Sequence, residues 1–110
     1  MAKSKKAKKY NVDWFLKFFQ KIPKKKWTTK ISENKKGQFC AIGHLARKTK
    51  EKDAYNNPVV QKLDKLFMGD LTWHINDNRL GYFKHLGKHP KNRIVNALKR
   101  VKKGLSLYRS

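Results

Sequence analysis

Three helix-start signals constrain the fold of this chain more than any other feature of its sequence. Asn11 precedes apolar residues at helical spacing, and this spacing stops at Pro23. The dipeptides Asn57-Pro58 and His89-Pro90 each combine a capping side chain with a proline suited to the first turn of a helix. We therefore predict three amphipathic helices, the last of which runs to about Lys103.

The apolar spacing also predicts the buried face of each helix, whereas the basic residues between the apolar positions should face solvent. Arg93 is one of these expected surface residues. Residues 70–78 are compatible with a further short helix. The side chains that we expect in the core are Trp14, Phe15, Phe18, Phe19 and Ile22 in the first helix, Val59, Val60, Leu63, Leu66 and Phe67 in the second, and Ile94, Val95, Leu98 and Val101 in the last.

The segment after the first helix carries the prediction of β-structure. Residues 27–32 are rich in β-branched and aromatic side chains, and residues 33–37 are typical of a polar turn. Residues 38–42 would then form the return strand of a β-hairpin. In the alternative, only Gln38 and Phe39 are extended and a helix begins at Cys40.

Length and composition allow one compact domain, since 110 residues with 38% hydrophobic content can bury a modest core. We predict a small, mainly helical α+β domain with one short β-hairpin over residues 11–103. A basic flexible arm at residues 1–10 precedes it, and a basic extension at residues 104–110 follows. The lone Cys40 and the lack of a long apolar run disfavour a secreted or integral membrane protein. We expect a cytoplasmic protein, or one packaged in a virion.

The charge balance predicts the class of partner. The chain has 29 Lys and Arg against 7 Asp and Glu, a formal net charge of +22. Such a chain repels itself unless a polyanion neutralises it, and nucleic acids are the abundant polyanions of cells. Lysine far outnumbers arginine and contacts phosphate as a point charge, so we expect sequence-tolerant binding to DNA or RNA. The expected binding residues are Lys3, Lys5, Lys6, Lys8, Lys9, Lys24, Lys25, Lys26, Lys99, Arg100, Lys102 and Lys103.

Two settings fit such a binding protein: a ribonucleoprotein component, or a phage protein associated with DNA. The alternative function is a protein-interaction module, for example a phage-encoded inhibitor that docks on an acidic protein surface. Binding to a membrane surface is a third and weaker reading, because the most aromatic helix is expected in the core, although Lys17 and Lys21 lie on that helix.

Four segments of the chain carry a recognisable pattern. They are Trp27, the stretch from Gly37 through Cys40-Ala-Ile-Gly to Leu45, Asn76-Asp77, and residues 90–98 with the form Pro-x-x-Arg-Ile-x-x-Ala-Leu. This pattern resembles that of a loose group of small uncharacterised bacterial and phage proteins, over roughly residues 12–101. The resemblance implies a compact domain and no particular activity. The chain departs from the group in its basicity and in having His89 where the group usually has Thr.

Two arrangements of residues suggest chemistry. Cys40 and His44 have the spacing of a thiolate-imidazole pair on one helix, and Asp77 could orient the imidazole. The same two residues, together with His74, His85 and His89, suggest zinc. We favour a structural role for Cys40 as a small buried residue, and Gly87 and Pro90 interrupt any helix joining His85 to His89. We therefore expect a non-enzymatic protein without a metal or other cofactor.

Two further patterns relate to nucleic-acid binding. Residues 59–67 and 71–78, with the tight connection between them, have the lengths of a helix-turn-helix. Its second helix would present Trp73 and Asp77 rather than a row of donors, which argues against this motif. Tyr82, Phe83 and Tyr108 lie beside basic residues and could stack on unpaired bases, although packing is the default expectation.

Overall fold

A computed structural model describes residues 10–30, 34–53, 56–69, 71–78 and 81–108 of the chain. This part of the chain contains five α-helices and two short 3₁₀ turns. The 3₁₀ turns are Lys24–Lys26 and Lys84–Leu86. The helices are α1 (Val12–Lys21), α2 (Ala41–Thr49), α3 (Pro58–Leu66), α4 (Leu71–Asp77) and α5 (Pro90–Lys102).

The three predicted helix starts are confirmed, because each capping side chain accepts hydrogen bonds from the first turn of its helix. Asn11 Oδ1 accepts from the Trp14 amide at 2.9 Å at the start of α1. Asn57 Oδ1 accepts from two amides of α3, the nearer at 2.9 Å. His89 Nδ1 accepts from the Lys91 amide at 3.1 Å. The predicted short helix is also present, as α4.

The predicted β-hairpin is wrong, and so is the α+β class. The described residues contain no β-strand, and an isolated parallel bridge joins Trp27 to Phe39. The alternative is confirmed instead: Cys40 is the N-cap of α2, with its Sγ accepting from the Gly43 amide at 3.3 Å. Residues 31–33 of the proposed hairpin lie outside the described part of the chain.

The C-terminal end of α4 satisfies two of the main-chain groups that a hairpin would pair. The carbonyl of Thr28 accepts from the side-chain amide of Asn76 at 3.0 Å, and the amide of Lys30 donates to the carboxylate of Asp77 at 2.9 Å. A side chain can therefore take the place of a neighbouring strand as the hydrogen-bond partner of a backbone group. The chain does not continue as a strand after Thr28 but bends at residues 29 and 30, where Lys30 has a φ of 74°.

The core lies between α1 and α5, and the other helices close around them. Asp13 at the start of α1 contacts Lys102 at the end of α5, and the Gln20 carbonyl at the end of α1 accepts from Lys91 Nζ at 2.9 Å. The two helices are therefore antiparallel. The apolar residues predicted for the core are buried or pack against it, and the buried set also includes Trp27, Leu45, Ile75, Phe83 and Leu107.

Arg93 corrects another expectation, because it is buried rather than exposed: only 4% of it is accessible. Its guanidinium lies at the C-terminal end of α4, where positive charge is favourable. Burial lowers the pKa of Arg93 from its usual value, and the Asp77 carboxylate opposes that shift. In place of water, the guanidinium donates hydrogen bonds to four main-chain carbonyls, those of Ile75, Asn76, Gly87 and Lys88.

Candidate nucleic-acid interface

The 3₁₀ turn Lys24–Lys26 presents three exposed lysines on a fixed backbone. The Trp27 amide closes the turn on the Lys24 carbonyl at 3.1 Å, and the Phe39 amide donates to the Lys26 carbonyl at 2.9 Å. The side-chain amide of Gln38 donates to the Lys25 carbonyl at 2.9 Å. Within the described ranges, none of the three ammonium groups has an ion-pair partner. The backbone of the turn is therefore fixed, and its three exposed charges are left available to an anion.

The end of the α1–α5 pair next to this turn is also basic. Lys24 lies beside His89, the N-cap of α5, and burial together with the Lys24 charge lowers the pKa of His89. Lys91 reaches the last turn of α1 through the Gln20 carbonyl. The Lys91 side chain comes from a distant part of the sequence, so the structure creates a larger basic surface than the lysine run alone.

The predicted basic residues of α5 lie at the opposite end of the helix pair. Lys99 and Lys103 are exposed. Lys102 forms an ion pair with Asp13 at 2.6 Å, and Arg100 Nε donates to the Ser106 carbonyl. The fold does not bring this second cluster to the Lys24–Lys26 turn. The predicted sites Lys3, Lys5, Lys6, Lys8 and Lys9 lie outside the described residues.

An open groove of about 760 Å³ lies between Lys26 and α2, and we call it the α2 groove. Its apolar lining is formed by Phe39, Ile42 and Ala46 together with two glycines. Its charged lining contains only cations among the described residues: Lys26, Arg47, Lys50 and Lys52.

Three of these four cations were missed by the sequence reasoning, because Arg47 lies near the end of a helix and Lys50 and Lys52 lie in a polar segment after it, where basic residues are common. The available signal was the density of positive charge around the end of this helix. Basic residues at a helix C-terminus are favourable on dipole grounds alone, so this signal has a structural explanation as well. Only the approach of Lys26 from another segment turns them into one surface.

Phe39 is the aromatic residue of this groove. Its ring is partly exposed, the Arg47 guanidinium carbon lies 5.2 Å from the ring centroid, and the His44 ring lies 5.2 Å away. The three predicted stacking residues lie elsewhere. Phe83 is buried in the core, and Tyr108 packs against it with ring centroids 5.4 Å apart. Tyr82 is exposed, so of the three it is the most accessible.

Cys40, His44 and Asp77 do not form a catalytic arrangement. Cys40 Sγ caps α2, and burial raises the pKa of its thiol, which disfavours the thiolate. Burial lowers the pKa of His44 to about 4, and the nearby Lys26 main chain offsets this only in part. The Asp77 carboxylate accepts from the main chain of Lys30 rather than from an imidazole. Across the described ranges, no three His, Cys, Asp or Glu residues converge on a possible metal position.

The helix-turn-helix hypothesis gains no support from the structure. Helices α3 and α4 have the predicted lengths, but α4 has no fully exposed residue. Thr72, Ile75 and Asn76 are buried, and Arg93 covers the end of the helix. A recognition helix needs a free face to enter the major groove, and α4 does not offer one. Separately, no helix in the described ranges has the length and apolar character needed to cross a lipid bilayer.

No protein-family model, curated protein or solved structure matches this chain. The resemblance to small bacterial and phage proteins therefore stays a prediction. The charges and contacts of the chain itself are what bear on its function.

Proposed function

We propose that this protein binds nucleic acid without sequence preference, through contacts between lysine side chains and phosphates, and catalyses no reaction. The observation that carries this proposal is the Lys24–Lys26 turn, whose three charges are exposed while its main chain is hydrogen-bonded to neighbouring segments. Lys91 and the cations of the α2 groove extend the same basic surface. Phosphate contact releases condensed counterions, which favours binding regardless of sequence.

The second cluster, at the C-terminal end of α5, would add contacts to the same polyanion. Lys99 and Lys103 are exposed, whereas Lys102 forms an ion pair with Asp13. The lysines at residues 3–9 belong to this proposal on sequence grounds. A ribonucleoprotein component and a phage protein associated with DNA are both consistent with such a binding mode.

Fluorescence anisotropy at two salt concentrations tests the proposal, with duplex DNA, single-stranded DNA and duplex RNA as probes. We expect tight binding that weakens steeply with salt, because each phosphate contact adds about 0.9 to the slope of log affinity against log salt on duplex DNA. A variant with Lys3, Lys5, Lys6, Lys8 and Lys9 replaced by Gln separates the arm from the folded body. Wild-type protein that binds none of the probes would refute the function.

A second candidate function is favoured by one specific observation, an exposed apolar surface near the C-terminus. Met68 is 87% exposed, Leu105 50% and Tyr108 48%, and all three line a second groove, whose lining residues are mostly apolar. Exposed apolar side chains that lie together are typical of protein-binding surfaces. Nucleic acid in excess would displace an acidic protein partner that is held only by the Lys24–Lys26 turn. Binding of a protein partner that persists in excess polyanion would therefore favour this function.

A further inference from the structure

The α2 groove combines three properties that are found together in sites for unpaired nucleotides. It is concave, with a volume in the range of small-molecule pockets, about 300–1,000 Å³. Its lining includes an aromatic ring and an arginine side chain, both of which can stack on a base. Its charged residues within the described ranges are all positive, as contact with a sugar-phosphate backbone requires.

We propose that the α2 groove binds an unpaired nucleotide of single-stranded DNA or RNA, with the base on Phe39 and Arg47 and the flanking phosphates on lysines. This inference rests on the proposed function and adds to it a preference for unpaired strands. A base inside a duplex is paired and stacked and presents only its edges to a protein, so it cannot lie on the Phe39 ring.

The packing around Phe39 supports a base at this position. Its ring is partly exposed, and the exposed Arg47 side chain lies over it with the guanidinium carbon 5.2 Å from the ring centroid. A base on the Phe39 ring would displace this guanidinium, which is planar and can then stack on the other face of the base. His44, which packs against Phe39 from the protein interior, stays neutral at pH 7 because burial lowers its pKa to about 4. The aromatic floor is thus apolar, and the positive charge is at the edge.

The lysines are placed where phosphates on either side of that base would pass. Lys26 enters the groove from the 3₁₀ turn, whereas Lys50 and Lys52 follow the end of α2. Lys50 adopts a left-handed conformation with φ 62° at the C-cap, a region of backbone space where glycine is the usual residue. A lysine in this conformation is less stable than a glycine would be, and its side chain places a positive charge at the groove.

The variant Phe39→Leu tests the inference in the full chain, with oligothymidine, oligouridine and a DNA duplex of equal length as separate probes. We expect affinity for both single strands to fall about tenfold while duplex affinity is unchanged, because stacking is removed and the charge is kept. Tyr82→Leu and Tyr108→Leu are matched controls that remove exposed aromatic rings elsewhere, and we expect them to change neither. If Phe39→Leu weakens binding to oligothymidine alone, the groove is assigned to DNA; if it weakens binding to oligouridine alone, the groove is assigned to RNA.

Equal reductions for single strand and duplex, or no reduction for either, would overturn the groove assignment and leave the proposed function standing. Wild-type protein that binds no probe would instead refute the proposed function itself. Polyglutamate that competes as well as oligothymidine would also overturn the assignment, since a peptide supplies charge without bases.

Photo-crosslinking of the wild-type protein avoids any dependence on how well a variant folds. A single strand that contains 5-iodouracil should crosslink to Phe39, as located by mass spectrometry of the digested product. Crosslinks that map to Tyr82 or Tyr108, with none at Phe39, would contradict the proposal.

Discussion

The side chain of Asn76 connects Thr28 to the start of α2: its Nδ2 donates to the Thr28 carbonyl and its Oδ1 accepts from the Ala41 amide, both at 3.0 Å. Asn76 is fully buried. Thr28 follows the lysine turn, and Ala41 begins the helix on the other side of the α2 groove. One amide therefore fixes both sides of the groove relative to α4.

Replacing Asn76 with Ala should lower the free energy of unfolding by about 3 kcal/mol. The main-chain groups of Thr28 and Ala41 would both be left without their partner, and an unsatisfied buried group costs roughly 1–3 kcal/mol. Urea unfolding of the full chain measures the change. Asn96→Ala is a matched control, because Asn96 is exposed and its amide donates to the Leu86 carbonyl; it should cost less than about 1 kcal/mol. Equal destabilisation in both variants would contradict the role given to Asn76.

Arg93→Lys should destabilise the protein by about 3 kcal/mol although the charge is conserved. A lysine cannot reproduce the planar set of donors that serves four carbonyls around Arg93. Thermal and urea unfolding test this, with Lys99→Met as an exposed control. Nucleic-acid affinity should stay unchanged at temperatures where the variant is folded, because Arg93 is buried; a large drop in affinity there would contradict its structural role.

Stability should fall as the pH is lowered from 6.5 towards 4, because burial lowers the pKa of His44 to about 4. The unfolded chain, with the ordinary histidine pKa, takes up the proton more readily than the folded protein. The stability that depends on neutral His44 is therefore fully present above pH 6.5 and is lost as the pH falls towards 4. This difference amounts to about 2 kcal/mol between pH 7 and pH 5.

The variant His44→Leu isolates this contribution, since it removes the titrating ring and keeps an apolar side chain beside Trp27 and Phe39. Urea unfolding at the two pH values should show a smaller decrease in stability in the variant than in the wild type. The remainder comes partly from His89, whose pKa is lowered in the same direction. An identical pH dependence in both proteins would show that His44 is not the group responsible.

Replacing all three residues of the Lys24–Lys26 turn with Gln should weaken binding to every nucleic-acid sequence about equally. The slope of log affinity against log salt on duplex DNA should fall by roughly 0.9 for each phosphate that the variant no longer neutralises. Anisotropy titrations over a range of salt concentrations measure the slope. A control with Lys62, Lys65 and Lys84 replaced by Gln removes the same charge outside the basic surfaces and should change the slope less. A sequence-dependent reduction in the first variant would contradict phosphate contact.

Lys50→Gly should raise stability by about 1 kcal/mol and lower nucleic-acid affinity at the same time. Glycine adopts the left-handed conformation of residue 50 without steric cost, but it removes one cation from the α2 groove. Urea unfolding and a titration with oligothymidine provide the two readouts. Higher stability with unchanged affinity would mean that the Lys50 charge is not used in binding.

The helix starts were predictable because their signals are local. Asn11, Asn57-Pro58 and His89-Pro90 act on amides two or three residues away, so their effect can be inferred from neighbouring sequence. The apolar stripes are equally local, and they place the core correctly.

The hairpin and Arg93 were mispredicted because long-range hydrogen bonds decide both. β-branched residues after Trp27 favour an extended backbone, and an isolated bridge to Phe39 forms there. What the sequence does not reveal is that Asn76, 48 residues after Thr28, satisfies that backbone in place of a strand. The burial of Arg93 depends in the same way on carbonyls 18 and 17 residues before it, at Ile75 and Asn76. The α2 groove was not predicted because its lining comes from separate segments that meet only through this folding.

The antiparallel pairing of α1 and α5 also sets a minimum length for the nucleic acid that we propose as the ligand. Lys91 and Lys102 lie at the two ends of α5, and the helical rise between them is about 17 Å. At about 3.4 Å per base step, that distance corresponds to about five steps of a stacked strand. We expect an oligonucleotide shorter than this to reach only one of the two basic ends of the helix pair, and we expect affinity to rise steeply once the strand is long enough to connect them.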